Sequence, residues 1–187
     1  MSGTVVWFVV CVLVQGAERV VELFIARRNR AWAFARGGQE FGAGHYPWMV
    51  ALHTSLLVAC LLEVGLAPTP VSWAWVLSFT ALVLVTNALR YWVIVTLGPL
   101  WNTRVICVPG AERVTSGPFR WLTHPNYVAV VVEVAALPLI HGAWRTALFF
   151  TLANAAVLTA RIRIENDALR RFYGEASAAV PRIAEAG

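Results

Sequence analysis

The sequence predicts an all-α integral membrane protein with about five transmembrane helices, the last two folded as a helical hairpin. Three observations carry this. Of the 187 residues, 59% are hydrophobic and 13% charged, where soluble domains run at about 45–50% and about 25%. Apolar windows of about 20 residues recur, each long enough as helix to cross a hydrocarbon core of roughly 30 Å. Every basic side chain is an arginine, and most of them gather beside apolar windows, where orientation signals belong. Residues 1–187 have the length of one domain.

The first span is expected over residues 4–25, ending at ARRNR. No basic segment precedes it and Glu18, Arg19 and Glu22 lie near its end, so it reads as a retained span and not a cleaved signal. Gln15, Glu18 and Glu22 are spaced i, i+3, i+7 and share one helical face. That face must look inward, because ionised groups are not left against lipid. It serves either as an ion-pair stripe with Arg19 or Arg90, or as part of a site lining. Residues 31–45, AWAFARGGQEFGAGH, are expected to be a polar, glycine-rich loop; its glycines follow no strand, so a nucleotide fingerprint is excluded.

A second span follows over 46–66, with His53 and Glu63 inside it, then the tight turn APTP. The third, over 71–96, contains Asn87 and Arg90. Residues 98–125 form the longest polar connection. The apolar region 126–164 is too long for one helix and is interrupted by Pro138, His141 and Gly142, which makes it two antiparallel helices, 126–140 and 143–164. Residues 165–187 continue as an amphipathic tail. Trp7, Trp73 and Trp75 are expected at a membrane interface.

Charge placement orients this topology. Arg27, Arg28, Arg30, Arg36, Arg104, Arg113, Arg120, Arg161, Arg163, Arg170, Arg171 and Arg182 fall on one side, and only Arg145 on the other. The positive-inside tendency makes the arginine-rich side cytoplasmic. The same clustering argues against nucleic acid as partner, although the formal charge is +5. Cys11, Cys60 and Cys107 are widely spaced with no CxxC or Cys/His pattern, so they read as buried thiols and no metal is expected.

A hairpin over 126–164 brings its two ends together, setting Arg120, His124 and Tyr127 near Arg161 and Glu165. Here the chain resembles the isoprenylcysteine carboxyl methyltransferase family, whose members show a G-P-[YF]-R-x-x-R-H-P-x-Y block and a later R-I-x-x-E-E-x-x-L block. The first block is matched by Gly117, Pro118, Phe119, Arg120, His124, Pro125 and Tyr127, with Thr123 in place of its second arginine. The second is matched by Arg161, Ile162, Glu165 and Leu169, with Asn166 in place of its second glutamate. RRNRAW, GGQEFGAGHYPWMVALH, LGPLWNTRVICVPGAERV and NAAVLTARIRIE are similar to a bacterial branch: small membrane O-methyltransferases associated with type III polyketide synthases, which methylate alkylpyrones and alkylresorcinols.

The resemblance implies S-adenosylmethionine as cofactor and a cofactor pocket facing the cytoplasm across a bacterial cell membrane. It implies Gly117, Pro118, Arg120, His124, Pro125, Asn126, Tyr127 and Glu165 as cofactor-binding, with Arg161 and Glu165 at the reacting end. A proline at the first helical position suits such a pocket, since it fixes the turn without losing a needed donor. Glu133 either hydrogen-bonds within the bundle or reaches the cofactor. The expected acceptor is lipidic, since an alkyl chain partitions from the bilayer at roughly 0.8 kcal/mol per buried CH₂. Methyl transfer from a sulfonium to an oxygen anion needs alignment and exclusion of water, without a covalent intermediate. An enol or carboxylate arrives ionised, whereas a phenol of pKa about 10 needs its proton removed. Glu40, His45, Tyr46 and His53 are candidates for that, with plain structural hydrogen bonds an equal alternative. Trp101, Asn102 and Asn154 complete the expected acceptor side; Asn154 lies seven residues before Arg161 on about the same helical face. Alternatives to the lipidic phenol or enol are a prenylcysteine-like carboxylate, or reduction with NADPH. Oligomeric state is left open.

Overall fold

A computed structural model describes residues 2–173. Among them the chain forms α1 (Gly3–Phe34), β1 (Gln39–Phe41), α2 (Tyr46–Leu66), α3 (Trp73–Leu97), β2 (Val105–Cys107), α4 (Pro125–Leu139) and α5 (Trp144–Tyr173). It is an all-α membrane protein with a small β-ribbon. Three segments, Ala43–Leu66, Trp73–Leu100 and Trp144–Phe172, are long and apolar enough to cross a membrane. Helix α4 is apolar and 15 residues long, about 22 Å of helix. Residues 174–187, the outer part of the expected tail with Arg182, lie outside the described residues.

The end of the first helix differs from expectation. Helix α1 does not end at ARRNR but continues through AWAF to Phe34, so residues 31–34 are helix and not loop. Nothing in that run breaks a helix; the stop comes at Gly37, whose φ is +76°, with the Gly38 N–H closing on the Ala33 carbonyl at 2.9 Å. Helix α5 runs past residue 164 to Tyr173, so the inner part of the expected tail is a continuation of the fifth helix. The ribbon was not anticipated: β1 and β2 pair antiparallel, with Glu40 opposite Ile106. Its apolar side chains explain it, since Phe41, Val105 and Cys107 pack with Ile164, Ala168, Leu169 and Phe172 of α5.

The helices alternate in direction, so the loops segregate to two ends. At the end opposite the arginines, Glu63 at the close of α2 accepts hydrogen bonds from the backbone of Arg145 (3.2 Å) and Thr146 (2.7 Å), capping α5 with a carboxylate where the helix dipole favours one. The hairpin tip turns at Gly142, φ +67°, where a Cβ would stand 3.1 Å from Thr69. Trp7, Trp73 and Trp75 share this end: Trp7 and Trp73 meet edge to face, and the Trp75 indole donates to the Leu139 carbonyl at 2.8 Å. Between the ends, α4 packs on α3 and α5, and α5 on α2. Phe8, Val12, Leu56, Val76, Val134 and Leu137 are central to the core this builds.

The polar face of α1 is buried as an ion-pair network. Asn87 donates to Gln15 and Glu18 at 3.1 and 2.8 Å, and Gln15 donates to Glu133 at 3.1 Å. Arg90 pairs with Glu133 and lies 3.6 Å from Glu22, while Arg19 is 2.9 Å from Glu22. Glu133 is thus a bundle carboxylate, and it lines neither cavity described next.

Candidate active site at the arginine-rich end

The arginine-rich end is assembled around the connection between α3 and α4. Asn29, on the part of α1 that outlasts the expected span, donates to the carbonyls of Gly98 (3.0 Å) and Trp101 (2.8 Å). Asn102 donates to the Ala26 carbonyl at 3.2 Å and accepts from the Arg104 N–H at 3.1 Å. These bonds hold Trp101, Asn102 and Thr103 against the mouth of the hairpin. Sequence reasoning missed Asn29, because at the expected end of the first span it stood among arginines with no partner the sequence could name.

The two ends of the hairpin meet, as their antiparallel run requires. The Tyr127 hydroxyl, one turn into α4, donates to the Glu165 carboxylate of α5. Arg161, 7% exposed, donates from Nε to the Tyr127 oxygen at 3.0 Å and from Nη1 to the Thr103 carbonyl at 2.7 Å, and Nη1 also reaches the Met49 sulfur of α2 at 3.1 Å. One guanidinium therefore ties together three elements. The His124 ring stacks on Tyr127 at 5.1 Å between centroids, and its Nδ1 is 3.7 Å from Glu165.

This cluster is a wall between two cavities. The larger, about 340 Å³, is lined by residues of all five helices, and the smaller is about 150 Å³. Trp101, Asn102, Asn126, Tyr127 and Arg161 border both. His124, Pro125 and Glu165 border only the smaller, with Arg104, Cys107 and Phe119. Tyr46, His53 and Asn154 border only the larger, beside Arg19, Glu22 and Arg90. The larger cavity also has an apolar mouth, since Val20, Leu23 and Val50 line it while remaining 52%, 44% and 39% exposed.

Five of the expected site residues stand elsewhere. Gly117 has φ +57° and lies against α3, where a Cβ would fall 2.5 Å from the Thr96 hydroxyl; its part is close packing. Pro118 is fully buried beside it. Arg120 is exposed with its guanidinium over the Trp121 ring, so the short turn Gly117–Arg120 aims it away from both cavities. Glu40 sits on β1 and is engaged by Arg104 and, at 3.7 Å, by Arg30. His45 is half-buried and turns back onto the Gly42 carbonyl, with its Nε2 buried and without a hydrogen-bond partner. None of the five lines a cavity.

Conversely, Arg104 emerges as a site residue. It borders the smaller cavity, lies 4.1 Å from the centroid of the Tyr46 ring, and takes its second face from Glu40. Its sequence signals were a place in the arginine tally and in the matched stretch LGPLWNTRVICVPGAERV. In the smaller cavity Cys107 is buried, and burial first, then the Glu165 carboxylate, push its thiol up to about 11. One polar atom there is left without a partner: the Asn126 side-chain oxygen, buried on the shared wall.

Comparison with known proteins bears on this end of the molecule. The isoprenylcysteine carboxyl methyltransferase (ICMT) family matches residues 79–171, which include both blocks of the wall. The chain is 36% identical to the Bacillus subtilis protein YpbQ over 166 residues, 89% of this chain and 97% of that one. It is 23% identical to a protein of Haemophilus influenzae over 164 residues, 87% and 93% of the two chains.

Proposed function

The chain belongs to the isoprenylcysteine carboxyl methyltransferase family and is a membrane methyltransferase; from that premise we propose that it moves a methyl group from S-adenosylmethionine to an oxygen of a lipid-soluble phenol or enol. The observation that carries the proposal is the shared wall: two cavities of different polarity divided by Tyr127, Arg161, Asn126, Trp101 and Asn102. A methyl group handed across such a wall needs one partner on each side of it.

The smaller cavity suits the cofactor by its donor set. Arg104 and Arg161 are cations for an amino-acid carboxylate. The orphaned Asn126 oxygen and Glu165 accept from an ammonium, and the Tyr127 and Trp101 rings offer π-faces to a sulfonium. Its volume of about 150 Å³ is below the roughly 300 Å³ where small-molecule sites begin. Binding therefore opens the Tyr127–Glu165 contact and enlarges the cavity. S-adenosylmethionine, when bound, supplies the activated methyl on a positively charged sulfur.

The protein's own part is orientation and charge. Arg161 holds the Tyr127 hydroxyl and the Thr103 carbonyl in register, and its positive charge steadies an oxygen anion arriving from the larger cavity. A greasy acceptor enters through the mouth at Val20, Leu23 and Val50, from a bilayer whose cytoplasmic leaflet faces the arginines. The alkylpyrones and alkylresorcinols implied by the sequence resemblance have this character. The test is to incubate purified protein with methyl-labelled S-adenosylmethionine and an alkylresorcinol, an alkylpyrone, a simple phenol or a prenylcysteine. Label in the first two supports the proposal; label in prenylcysteine alone ends it.

A further inference from the structure

Strand β2 lines the smaller cavity along Val105, Ile106 and Cys107, whereas no residue of β1 borders either cavity. What β1 brings is a carboxylate. Strand pairing sets Glu40 opposite Ile106, and Arg104 lies two residues before Ile106, diagonally across the ribbon and within reach of a long side chain. There Glu40 accepts a hydrogen bond from Arg104 Nη1. Its second oxygen is 3.7 Å from Arg30. Of the three side chains Glu40 is the most enclosed, 14% exposed against 25% for Arg104 and 44% for Arg30, so both guanidiniums come to the carboxylate.

Arg104 is gripped from two further directions. Its guanidinium carbon lies 4.1 Å from the centroid of the Tyr46 ring at the start of α2, and its backbone N–H donates to Asn102 at 3.1 Å. A guanidinium is a planar fork whose five N–H donors keep a fixed mutual geometry, so a grip at Nη1 and a ring against one face set the direction of all of them. An arginine a quarter exposed and without these grips samples many rotamers, and it gives up that freedom on meeting a ligand. Two cations meet one anion at Glu40, so the trio also retains one positive charge beside the cavity.

Resting on the reading of the smaller cavity as the cofactor site, we propose that Glu40 is a positioning residue: it touches no ligand, and through Arg104 it sets the affinity for the carboxylate at the cofactor's amino-acid end. Its role depends on where its oxygen stands. Its charge works the other way, weakening the pull of Arg104 on a second carboxylate. Glu40 and Arg104 are 64 residues apart in sequence, and the ribbon is what sets them face to face.

The test compares two ligands that share adenosine and sulfur. S-adenosylhomocysteine carries the amino-acid end and 5′-methylthioadenosine lacks it. Both are titrated calorimetrically into the full chain in detergent, as wild type, Glu40→Asp, Glu40→Gln, Arg104→Gln and the double variant Glu40→Asp/Arg104→Gln. Wild type is expected to prefer S-adenosylhomocysteine by about a hundredfold, the order of one or two charged hydrogen bonds. Glu40→Asp keeps the charge and shortens the reach, and is expected to cut that preference about tenfold, with binding of 5′-methylthioadenosine unchanged. Glu40→Gln keeps an acceptor at the same reach and is expected to hold the preference within about threefold. In the Arg104→Gln background Glu40→Asp is expected to add nothing. An unchanged preference in Glu40→Asp together with a raised one in Glu40→Gln overturns the proposal, since Glu40 then acts only as a neutralising charge. Equal loss of both ligands in Glu40→Asp overturns it too, because a merely structural residue does that, as does a further drop in the double variant. Wild type that binds both ligands equally leaves the cofactor site standing and overturns this proposal alone, whereas wild type that binds neither overturns the cofactor reading as well.

Discussion

Arg161→Lys tests whether the wall works through geometry or through charge alone. The guanidinium makes three contacts with three elements: Tyr127 at 3.0 Å, Thr103 at 2.7 Å and Met49 at 3.1 Å. A lysine keeps the positive charge, but its ammonium is a single point on a shorter fork and reaches one of these partners at a time. The Thr103 carbonyl and the Tyr127 oxygen each lose or share a charge-assisted bond worth about 1.5–3 kcal/mol. Taking one such bond as lost outright and the other as half retained gives roughly 3 kcal/mol, or about a hundredfold in kcat/KM. Arg161 is 7% exposed, so solvent does little to soften the loss. The assay is transfer of labelled methyl to an alkylresorcinol, with thermal unfolding in detergent run beside it to separate lost activity from lost fold. A folded Arg161→Lys enzyme within threefold of wild type would refute the claim that this side chain acts by positioning.

The buried network carries three carboxylates, Glu18, Glu22 and Glu133, against Arg19 and Arg90. Arg90→Leu, which raises the formal excess of negative charge, is expected to destabilise by about 3–5 kcal/mol and to lower Tm more than Glu133→Gln, which removes the excess; the reverse order would overturn this account of the network. Cys107 has its thiol held at about 11 by burial and then by Glu165, against an ordinary 9.0. A raised thiol pKa means less thiolate at any pH below it, so alkylation by iodoacetamide at pH 8 is expected to run about a hundredfold slower than a free thiol, to climb towards pH 11, and to begin lower in Glu165→Gln; Cys11 and Cys60 are replaced by alanine for this measurement. Gly117→Ala places a Cβ 2.5 Å from Thr96 Oγ1 at φ +57°, with at least about 1–2 kcal/mol from the left-handed backbone alone. It is expected to lower Tm while the folded fraction keeps wild-type affinity for S-adenosylhomocysteine, and a selective loss of affinity would return Gly117 to the cofactor site.

Much of this architecture is legible in one dimension because hydrophobic burial is periodic along a helix. Helix α2 occupies the expected residues 46–66, and the hairpin turns at the expected Gly142. The inward face of α1 is buried where Gln15 and Glu22 predict it, since a charge has nowhere else to go in a bilayer. His124, Tyr127, Arg161 and Glu165 come together because two antiparallel helices with a short turn must bring their far ends side by side. The ribbon of Gln39–Phe41 and Val105–Cys107 escaped notice, since three-residue strands joined across 63 intervening residues leave no local pattern.

Composition and charge placement pointed to a membrane protein with its polar residues gathered at one end, and the resemblance carried by two short blocks implied a methyltransferase, because each of those signals can be read along the chain without knowing how it folds. The division of that end into two cavities, the placing of Arg120, Glu40 and His45 outside their linings, and the placing of Arg104, Thr103 and Met49 within them were decided by folding. A side chain's direction depends on the turn that carries it and on the neighbours it meets, and Arg120 and Arg161, both arginines of a matched block, end respectively on a surface tryptophan and at the centre of the wall.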